Sequence, residues 1–368
     1  LFYDHKQIIV PNMKRRVVAD YIFVDGDGKF RTKNRVEVID GHRLIFGDFS
    51  TDGSSTGQAS ESGNTEIILR PVFITRNPLR PIESYLVLCE TYDAITNQPL
   101  PSNSRAEAVK LFAEEHVQEM QIWFGPEQEY YFQPVIVRQE TYVEAGTHYC
   151  GIQVNQVQQY IVEKHLEACM MADLSFYGTN AEVSQDQWEF QLGPCLGIVA
   201  ADQLMVARFL LEKIAANYGY NVCYEPKPYK SRHGSGCHIN FSTKDTRAEE
   251  TGCQNIVDLM PKFAARHQEH IDAYGEGNEL RLTGTCETAS IGKFSFGIGT
   301  RNTSMRISNK VMKDKCGYVE DRRPAANVDP YKAMMQIAHT LKDTGQAGAQ
   351  LRSAPALRTK VYSEASAF

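Results

Sequence analysis

At 368 residues the chain is long enough for about two domains of ordinary size, each with a sizeable core. Its 42% hydrophobic and 23% charged residues exclude disordered and fibrous classes. Thirty-nine Lys and Arg against 45 Asp and Glu leave a formal charge of −6, without the basic footprint that binding a nucleic-acid backbone requires. Nine cysteines are scattered singly, with no CxxC pair and an odd total, which points to a reducing, cytoplasmic compartment and away from a disulfide framework. No stretch reaches the roughly 18 apolar residues of a membrane span, and the first residues lack the apolar core of a signal peptide. Leu1 in place of Met leaves a trimmed leader open.

In chain order, Val17, Ala19, Tyr21 and Phe23 alternate with Val18, Asp20, Ile22 and Val24, a strand with two largely apolar faces that ends at the turn Asp25-Gly26-Asp27-Gly28. Ser50 to Thr65 is rich in Ser, Thr and Gly and reads by composition as a solvated loop or linker, although such loops also carry function. Near Pro99 to Arg105 the pattern changes: Ser104 with Glu107 spells a capping box, with helix formers through Glu114. A domain boundary is expected near residue 100. Helical patterns follow over Val154–Ala172, Ala200–Tyr218, Asn255–Ala273 and Pro330–Lys342, with short strand-like pieces between them. The class is α+β, divided into a domain over 1–100, a larger one over 101–350 and a tail over 351–368.

The chemistry begins at Trp123-Phe124-Gly125-Pro126-Glu127-Gln128-Glu129-Tyr130, a turn entering a strand. On a strand, Glu127 and Glu129 face the same way about 6.6 Å apart. A solvated face would explain both. Glu182 and Glu189, however, stand among residues that favour burial, and a buried acid must find a partner. His238, in Gly236-Cys237-His238-Ile239-Asn240, looks inward too; alone it reads as a satisfied core histidine before a ligand. Glu320, in Tyr318-Val319-Glu320-Asp321-Arg322-Arg323, alone reads as part of a surface ion-pair strand. Together, five glutamates and a histidine make a hard ligand set that suits Mg²⁺ or Mn²⁺. Carboxylates about 4 Å apart repel by roughly 4 kcal/mol at an effective dielectric of 20, so such a gathering needs cations.

Weaker signals remain. His267 and His270 imitate a metal pair, but on a polar helix they read first as a solvated face. Gly234-Ser235-Gly236 is too short for a dinucleotide fingerprint and lacks the Lys-Ser/Thr of a P-loop. Arg281, Arg301, Arg306, Arg322 and Arg323 crowd one segment, and Arg suits bidentate phosphate or carboxylate recognition, with surface ion pairs as the plain alternative.

From about Val17 to about residue 340, these strings resemble the glutamine synthetases of the eukaryotic type. The resemblance rests on Asp52-Gly53-Ser54-Ser55-Thr56-Gly57, Trp123 to Tyr130, Asn180 to Pro194, Gly234 to Thr243, Arg281-Leu282-Thr283-Gly284, Glu287-Thr288 and Glu320 to Pro330. It implies a small N-terminal β-grasp domain, a catalytic domain with a curved antiparallel sheet flanked by helices, and a homo-oligomeric ring, expected to be a decamer, with active sites between subunits. It also implies an ATP-dependent glutamate–ammonia ligase that forms glutamine through γ-glutamyl phosphate, using two or three Mg²⁺ or Mn²⁺ per site.

By the same resemblance, Glu129, Glu182 and Glu189 hold the ion beside glutamate, and Glu127, His238 and Glu320 the ion beside the nucleotide phosphates. Arg281 and Gly234 fall at the glutamate site, Arg301 and Arg306 at the phosphates, and Arg322 near the transferring phosphoryl group. Trp123 and Tyr318 fall at the adenine end. Asp52 and Ser55 match the ammonium-site acid and its neighbour, supplied to the next subunit, and Glu287 a flap residue. The Ser/Thr/Gly-rich loop becomes an active-site edge under this reading. His233 before Gly234, Cys286 before Glu287, Asn302-Thr303 after Arg301 and Leu280 before Arg281 depart from the family's usual residues; His233 and Cys286, which border the amino-acid and flap regions, leave open a ligase for an organic amine. A noncatalytic scaffolding relative is disfavoured because all six ligands are kept.

Overall fold

The computed structural model describes residues 14–39, 45–136, 148–152 and 155–343; the tail expected over 351–368 and the helix start expected at Val154 lie outside the described residues. The chain forms two units, one running to Asn103 and taking in Met171–Asp173, the other holding Ser104–Met170 and the chain from Leu174 onward.

In the first unit β1 (Arg15–Val24), β2 (Phe30–Ile39), β3 (Phe49–Asp52), β4 (Glu66–Arg76) and β5 (Ser84–Asp93) form a sheet in the order β2-β1-β5-β4-β3. β1 and β5 run parallel and the other pairs antiparallel, the mixed arrangement of a β-grasp sheet. The alternation on β1 becomes packing: Val17, Ala19, Tyr21 and Phe23 join Ile67, Leu69 and Val87 in one core. On the other face Ile22 is fully buried, and the Asp20 carboxylate is held by Asn77 at 2.6 Å and by two Arg80 nitrogens at 2.7 Å. The turn after β1 closes because Asp25 accepts the backbone N–H groups of Asp27 and Lys29, both at 2.9 Å. The Ser/Thr/Gly-rich stretch is not a linker. It contains the end of β3 and a 3-10 turn over Ser54–Thr56, and the Gln58 amide ties it to the Val24 carbonyl at 3.0 Å and the Ser102 hydroxyl at 2.8 Å.

The second unit opens with α1 (Arg105–Phe112) and α2 (Glu115–Glu119), then β6 (Trp123–Pro134), α3 (Gln156–Met171), β7 (Phe176–Ala181), β8 (Gln187–Leu192) and β9 (Cys195–Leu196). α4 (Val199–Asn217), β10 (Tyr220–Cys223), β11 (Cys237–Ser242), α5 (Gly252–Ala265) and α6 (His267–Ala273) follow. β12 (Phe296–Ile298), β13 (Met305–Ile307), α7 (Asn309–Asp314), β14 (Val319–Asp321) and α8 (Pro330–Lys342) complete it. Among the described residues the strands make one sheet, β12-β13-β14-β11-β6-β8-β7, with β9 and β10 also paired to β6. The fold is therefore α+β, as expected. On β6, Phe124, Gln128, Tyr130 and Phe132 are buried on the face turned to α4, which is itself buried at every residue from Ala200 to Leu211. Glu127 and Glu129 share the opposite face by the period of two.

Three local expectations change. The capping box at Ser104 does not form: its backbone is already helical, and its hydroxyl donates to Asp329 at 2.5 Å. Asp329 in turn caps α8, accepting the backbone N–H groups of Tyr331 at 2.9 Å and Lys332 at 3.3 Å, so a charged tertiary acceptor outcompetes the local one. The helix expected over Asn255–Ala273 starts at Gly252 and breaks at Arg266 into α5 and α6. His267 and His270 do not form a solvated face. His270 is fully buried between Tyr274 Oη at 2.6 Å and Thr340 Oγ1 at 2.7 Å, and His267 Nε2 meets the Ile291 carbonyl at 2.8 Å.

The string around Glu320 is interior as well. Arg323 grips Asp321 through Nε at 2.9 Å and Nη2 at 2.6 Å, Tyr274 donates to Asp321 at 2.7 Å, and the guanidinium lies over the rings of Tyr274 and Phe294. Both charges are almost wholly buried. Asp321→Ala is expected to cost about 3–5 kcal/mol, since it strands a buried guanidinium. Chemical denaturation at fixed subunit concentration measures this; a cost below about 1 kcal/mol would show that the pair contributes only as an exposed one does.

Candidate active site

Strand register builds the site. β6 runs antiparallel to β11 and β8, placing His238 opposite Glu127 and Glu189 opposite Glu129. β14 pairs with β11 so that Glu320 faces Asn240, and Glu182 follows the end of β7. Two donor clusters result: Glu127, His238 and Glu320, and Glu129, Glu182 and Glu189, each offering atoms within 4.8 Å of one another. They share one cavity of about 780 Å³. Arg301, Arg306, Arg322, Glu287, Trp123 and Tyr318 stand on its wall.

Each carboxylate is aimed by a neighbour. Asn240 donates to Glu127 at 2.7 Å, the Gly236 N–H to Glu129 at 2.7 Å, and Asn180 to Glu182 at 3.2 Å; Gln191 donates to Glu189. Arg306 and Arg322 donate to the two oxygens of Glu320, at 3.2 and 2.5 Å. His238 Nδ1 stands 3.6 Å from Glu127 and 3.5 Å from Glu320, while Arg281 Nη2 lies 2.9 Å from its Nε2. Arg281 is turned inward, with further bonds to the carbonyls of Arg322 at 3.0 Å and Arg323 at 3.3 Å, and its Nε finds no acceptor among the described residues. Only glycine allows this approach: a Cβ on Gly234 would lie 2.7 Å from Arg281 Cγ, and one on Gly236 2.9 Å from His238 Nε2.

Burial pushes the carboxyls of Glu127, Glu129, Glu182 and Glu189 above their ordinary range, with Glu189 raised furthest and repelled by Glu127, Glu129 and Glu182. Burial and the Arg322 charge bring His238 down to about 4, so its imidazole is neutral at pH 7 and free to act as a ligand. Crowded oxygen donors that resist ionisation together, with one neutral imidazole, suit a hard divalent cation.

At the cavity mouth, Arg301 donates to Glu287 at 2.8 Å, and Arg322 reaches the Glu287 carbonyl at 3.3 Å. Cys286 and Glu287 both adopt left-handed backbone, at φ 49° and 61°. Successive non-glycine residues there are strained, as loops that must hold a set shape often are. Thr288 Oγ1 fastens the segment below by donating to the Thr285 carbonyl at 2.7 Å and the Arg281 carbonyl at 3.1 Å.

A family model for the glutamine synthetase catalytic domain matches residues 102–274. The chain is 42% identical over 339 residues to a glutamine synthetase of Schizosaccharomyces pombe, covering 89% of this chain and 92% of that protein. It is 41% identical over 351 residues to one from Agaricus bisporus (91% and 97% covered), and 39% over 349 residues to a cytosolic isozyme of Pinus sylvestris (92% and 97% covered). The chain belongs to the glutamine synthetase family.

Of the residues singled out from the sequence, twelve are brought together here: the six donors, Arg301, Arg306, Arg322, Glu287, Trp123 and Tyr318. Gly234 and Arg281 pack behind them. Asp52 and Ser55 belong to the first unit, where Ser54 Oγ at 2.8 Å and the Ser55 N–H at 3.2 Å bond the Asp52 carboxylate. Hydrogen bonds from Ser55 and Ser54 bring it down to about 2, so it is ionised throughout the neutral range. The backbone of His233 is held at both ends, its carbonyl by Tyr131 Oη at 2.8 Å and its N–H by Ser184 Oγ at 2.9 Å, so the local path does not depend on its side chain. The sequence reading passed over Asn240, which a count of two from His238 on β11 would have placed on the same face. It also passed over Arg247, whose guanidinium lies 5.5 Å over the Trp123 ring. No local pattern marks Arg247.

Because four folded carboxyls sit above their ordinary value of about 4.5, the folded chain binds more protons than the unfolded chain through that interval. The stability they contribute is full below 4.5 and lost as pH rises through the raised values. Buried histidines oppose that trend, since His165, His238 and His270 are held below their ordinary range and lose stability as pH falls. The expectation therefore concerns Mg²⁺, whose stabilising effect on melting should be larger at neutral pH than after mild acidification, where protons compete for the carboxylates. Scanning calorimetry with and without Mg²⁺ decides; a Mg²⁺-induced rise in melting temperature that does not shrink on acidification would contradict this account of the cluster.

Proposed function

We propose that the cavity is the active site of an ATP-dependent ligase that makes glutamine from glutamate and ammonia. The observation that carries this reading is the pair of donor clusters set side by side beneath Arg301, Arg306 and Arg322. Glu129, Glu182 and Glu189 would hold one divalent cation, and Glu127, His238 and Glu320 another, Mg²⁺ or Mn²⁺, with room for a third. Bound there, the cations supply neutralisation of phosphate charge.

The chain's own residues do the rest. Trp123 and Tyr318 receive the adenine end, and Arg301 and Arg306 clamp the phosphates. Arg281, whose Nε has no acceptor among the described residues, holds glutamate with Gly234 giving it space. The γ-carboxylate of glutamate attacks the γ-phosphoryl of ATP while Arg322 faces the charge that develops, giving γ-glutamyl phosphate and ADP. Glu287 closes over this acyl phosphate and keeps water out. Ammonium binds at ionised Asp52 beside Ser55 and gives up a proton; ammonia displaces phosphate and glutamine results.

The division into a domain over 1–100, a catalytic domain over 101–350 and a tail belongs to the same reading. So do a cytoplasmic location and a ring, taken as a decamer, in which Asp52 and Ser55 serve the neighbouring subunit's site.

Phosphate release from MgATP with glutamate, measured with and without ammonium, tests the reading. Ammonium-stimulated release matched by glutamine is expected; no glutamine from a well-formed oligomer at any ammonium concentration rejects it. Asp52→Ala is expected to lower glutamine formation by about 10²- to 10⁴-fold while ATP affinity stays within about twofold. Equal loss of both, measured by turnover and by nucleotide titration, would assign Asp52 to folding or assembly.

A further inference from the structure

Behind the cavity lies a buried cation that the reaction does not use. Arg208, on α4, is 6% exposed, and three of its nitrogens point in three directions. Nε donates to the Gln128 side-chain carbonyl at 2.7 Å, Nη1 to the Val328 carbonyl at 2.9 Å and Nη2 to the Ala326 carbonyl at 3.1 Å. Gln128 is wholly buried and stands on β6 between Glu127 and Glu129, facing away from the cavity. Its amide donates to Ala326 at 3.1 Å and to the backbone carbonyl of Glu129 at 2.7 Å. The Ala326 N–H donates to the Ser235 carbonyl at 3.0 Å, and the next residue along, Gly236, accepts the Glu129 N–H at 2.9 Å and donates its own N–H to the Glu129 carboxylate at 2.7 Å. The segment that Arg208 grips, Ala326 to Val328, lies beyond Arg322 and Arg323 on the chain leaving β14, which carries Glu320.

We propose that Arg208 is a positioning residue that, through Gln128 and the Ala326 and Val328 carbonyls, sets the spacing between the β6 carboxylates and the chain leaving β14, and so tunes the affinity of both cation sites. This rests on the cation-binding reading given above. The chemistry needs arginine. A planar fork presents donors to three separated acceptors at fixed angles, whereas a lysine ammonium satisfies them only from one point. The face of the sheet turned to α4 is otherwise apolar at Phe124, Tyr130 and Phe132, so a lost bond there is not replaced by water. Partners one step removed from metal ligands act on affinity because they fix ligand orientation.

The test uses the full-length protein with Mn²⁺ as probe, its free concentration read by electron paramagnetic resonance and its effect read as the concentration for half-maximal glutamine formation. Arg208→Lys and Gln128→Met are each expected to raise that concentration by about 10-fold or more, leaving kcat at saturating Mn²⁺ within a few-fold of the parent. The double variant should be no worse than the poorer single one, because the two residues act as one unit. A lower melting temperature with unchanged Mn²⁺ dependence overturns the proposal, since a merely structural role has that signature. If Arg208→Lys does not fold, Gln128→Met decides alone: an unshifted Mn²⁺ titration rejects the inference. Glu129→Gln separates the two levels. Should it leave Mn²⁺ binding intact, the cation-site reading itself fails; should it abolish binding while Arg208→Lys and Gln128→Met have no effect, only the positioning role fails.

Discussion

Five carboxylates converge on one largely buried cavity, and the rest of the second unit answers that constraint. Left to itself such a cluster would open or take up protons, and the raised pKa values of Glu127, Glu129, Glu182 and Glu189 record the cost. Relief comes from two sides. In front, Arg306 and Arg322 divide the oxygens of Glu320 between them. Behind, strand pairing denies the acids a route apart, because Glu127 and Glu129 are fixed by β6, Glu189 by β8 and His238 by β11.

A sheet holds its register only if its other face is well buried, and here that face is unusually polar for a core. Arg208 and Gln128 on one side of β6, and Asp321, Arg323, Tyr274 and His270 behind β14, are buried and joined by hydrogen bonds. Such networks are costly when partly satisfied and specific when complete. Each lies directly beneath a strand that brings a carboxylate to the cavity. The alternation of the strands therefore separates two faces: Glu127 and Glu129 of β6 line the cavity, while Gln128, Tyr130 and Phe132 pack toward α4.

The first unit follows a different logic. Its apolar face carries stability, and its polar edge carries Asp52, whose carboxylate is kept ionised by the serine hydroxyl and backbone groups of its own turn without help from the core. That turn is tied down by Gln58, so a stretch whose composition reads as linker is held by tertiary bonds.

Much was legible in the residues themselves. The strand at Val17–Val24, the helix at Pro330–Lys342 and the pairing of Glu127 with Glu129 on one face follow from periodicity, which depends only on near neighbours. The chemistry of the donor set was legible too, because five glutamates and a histidine amid apolar residues have few uses, and the resemblance named one of them. Whether those six meet was not, since it depends on register between strands that lie far apart in the chain, His238 being paired with Glu127 and Glu320 with Asn240. The misreadings share that cause. Ser104 prefers a distant aspartate to its own helix, His270 turns out to be core and His267 partly buried against a backbone carbonyl, and the Glu320–Arg323 string lies inside the protein instead of on it. Local sequence determined which side chains could bind a cation and hold a phosphate; only the tertiary structure decided which of them share a cavity, because burial and cross-strand neighbours are properties of the folded chain.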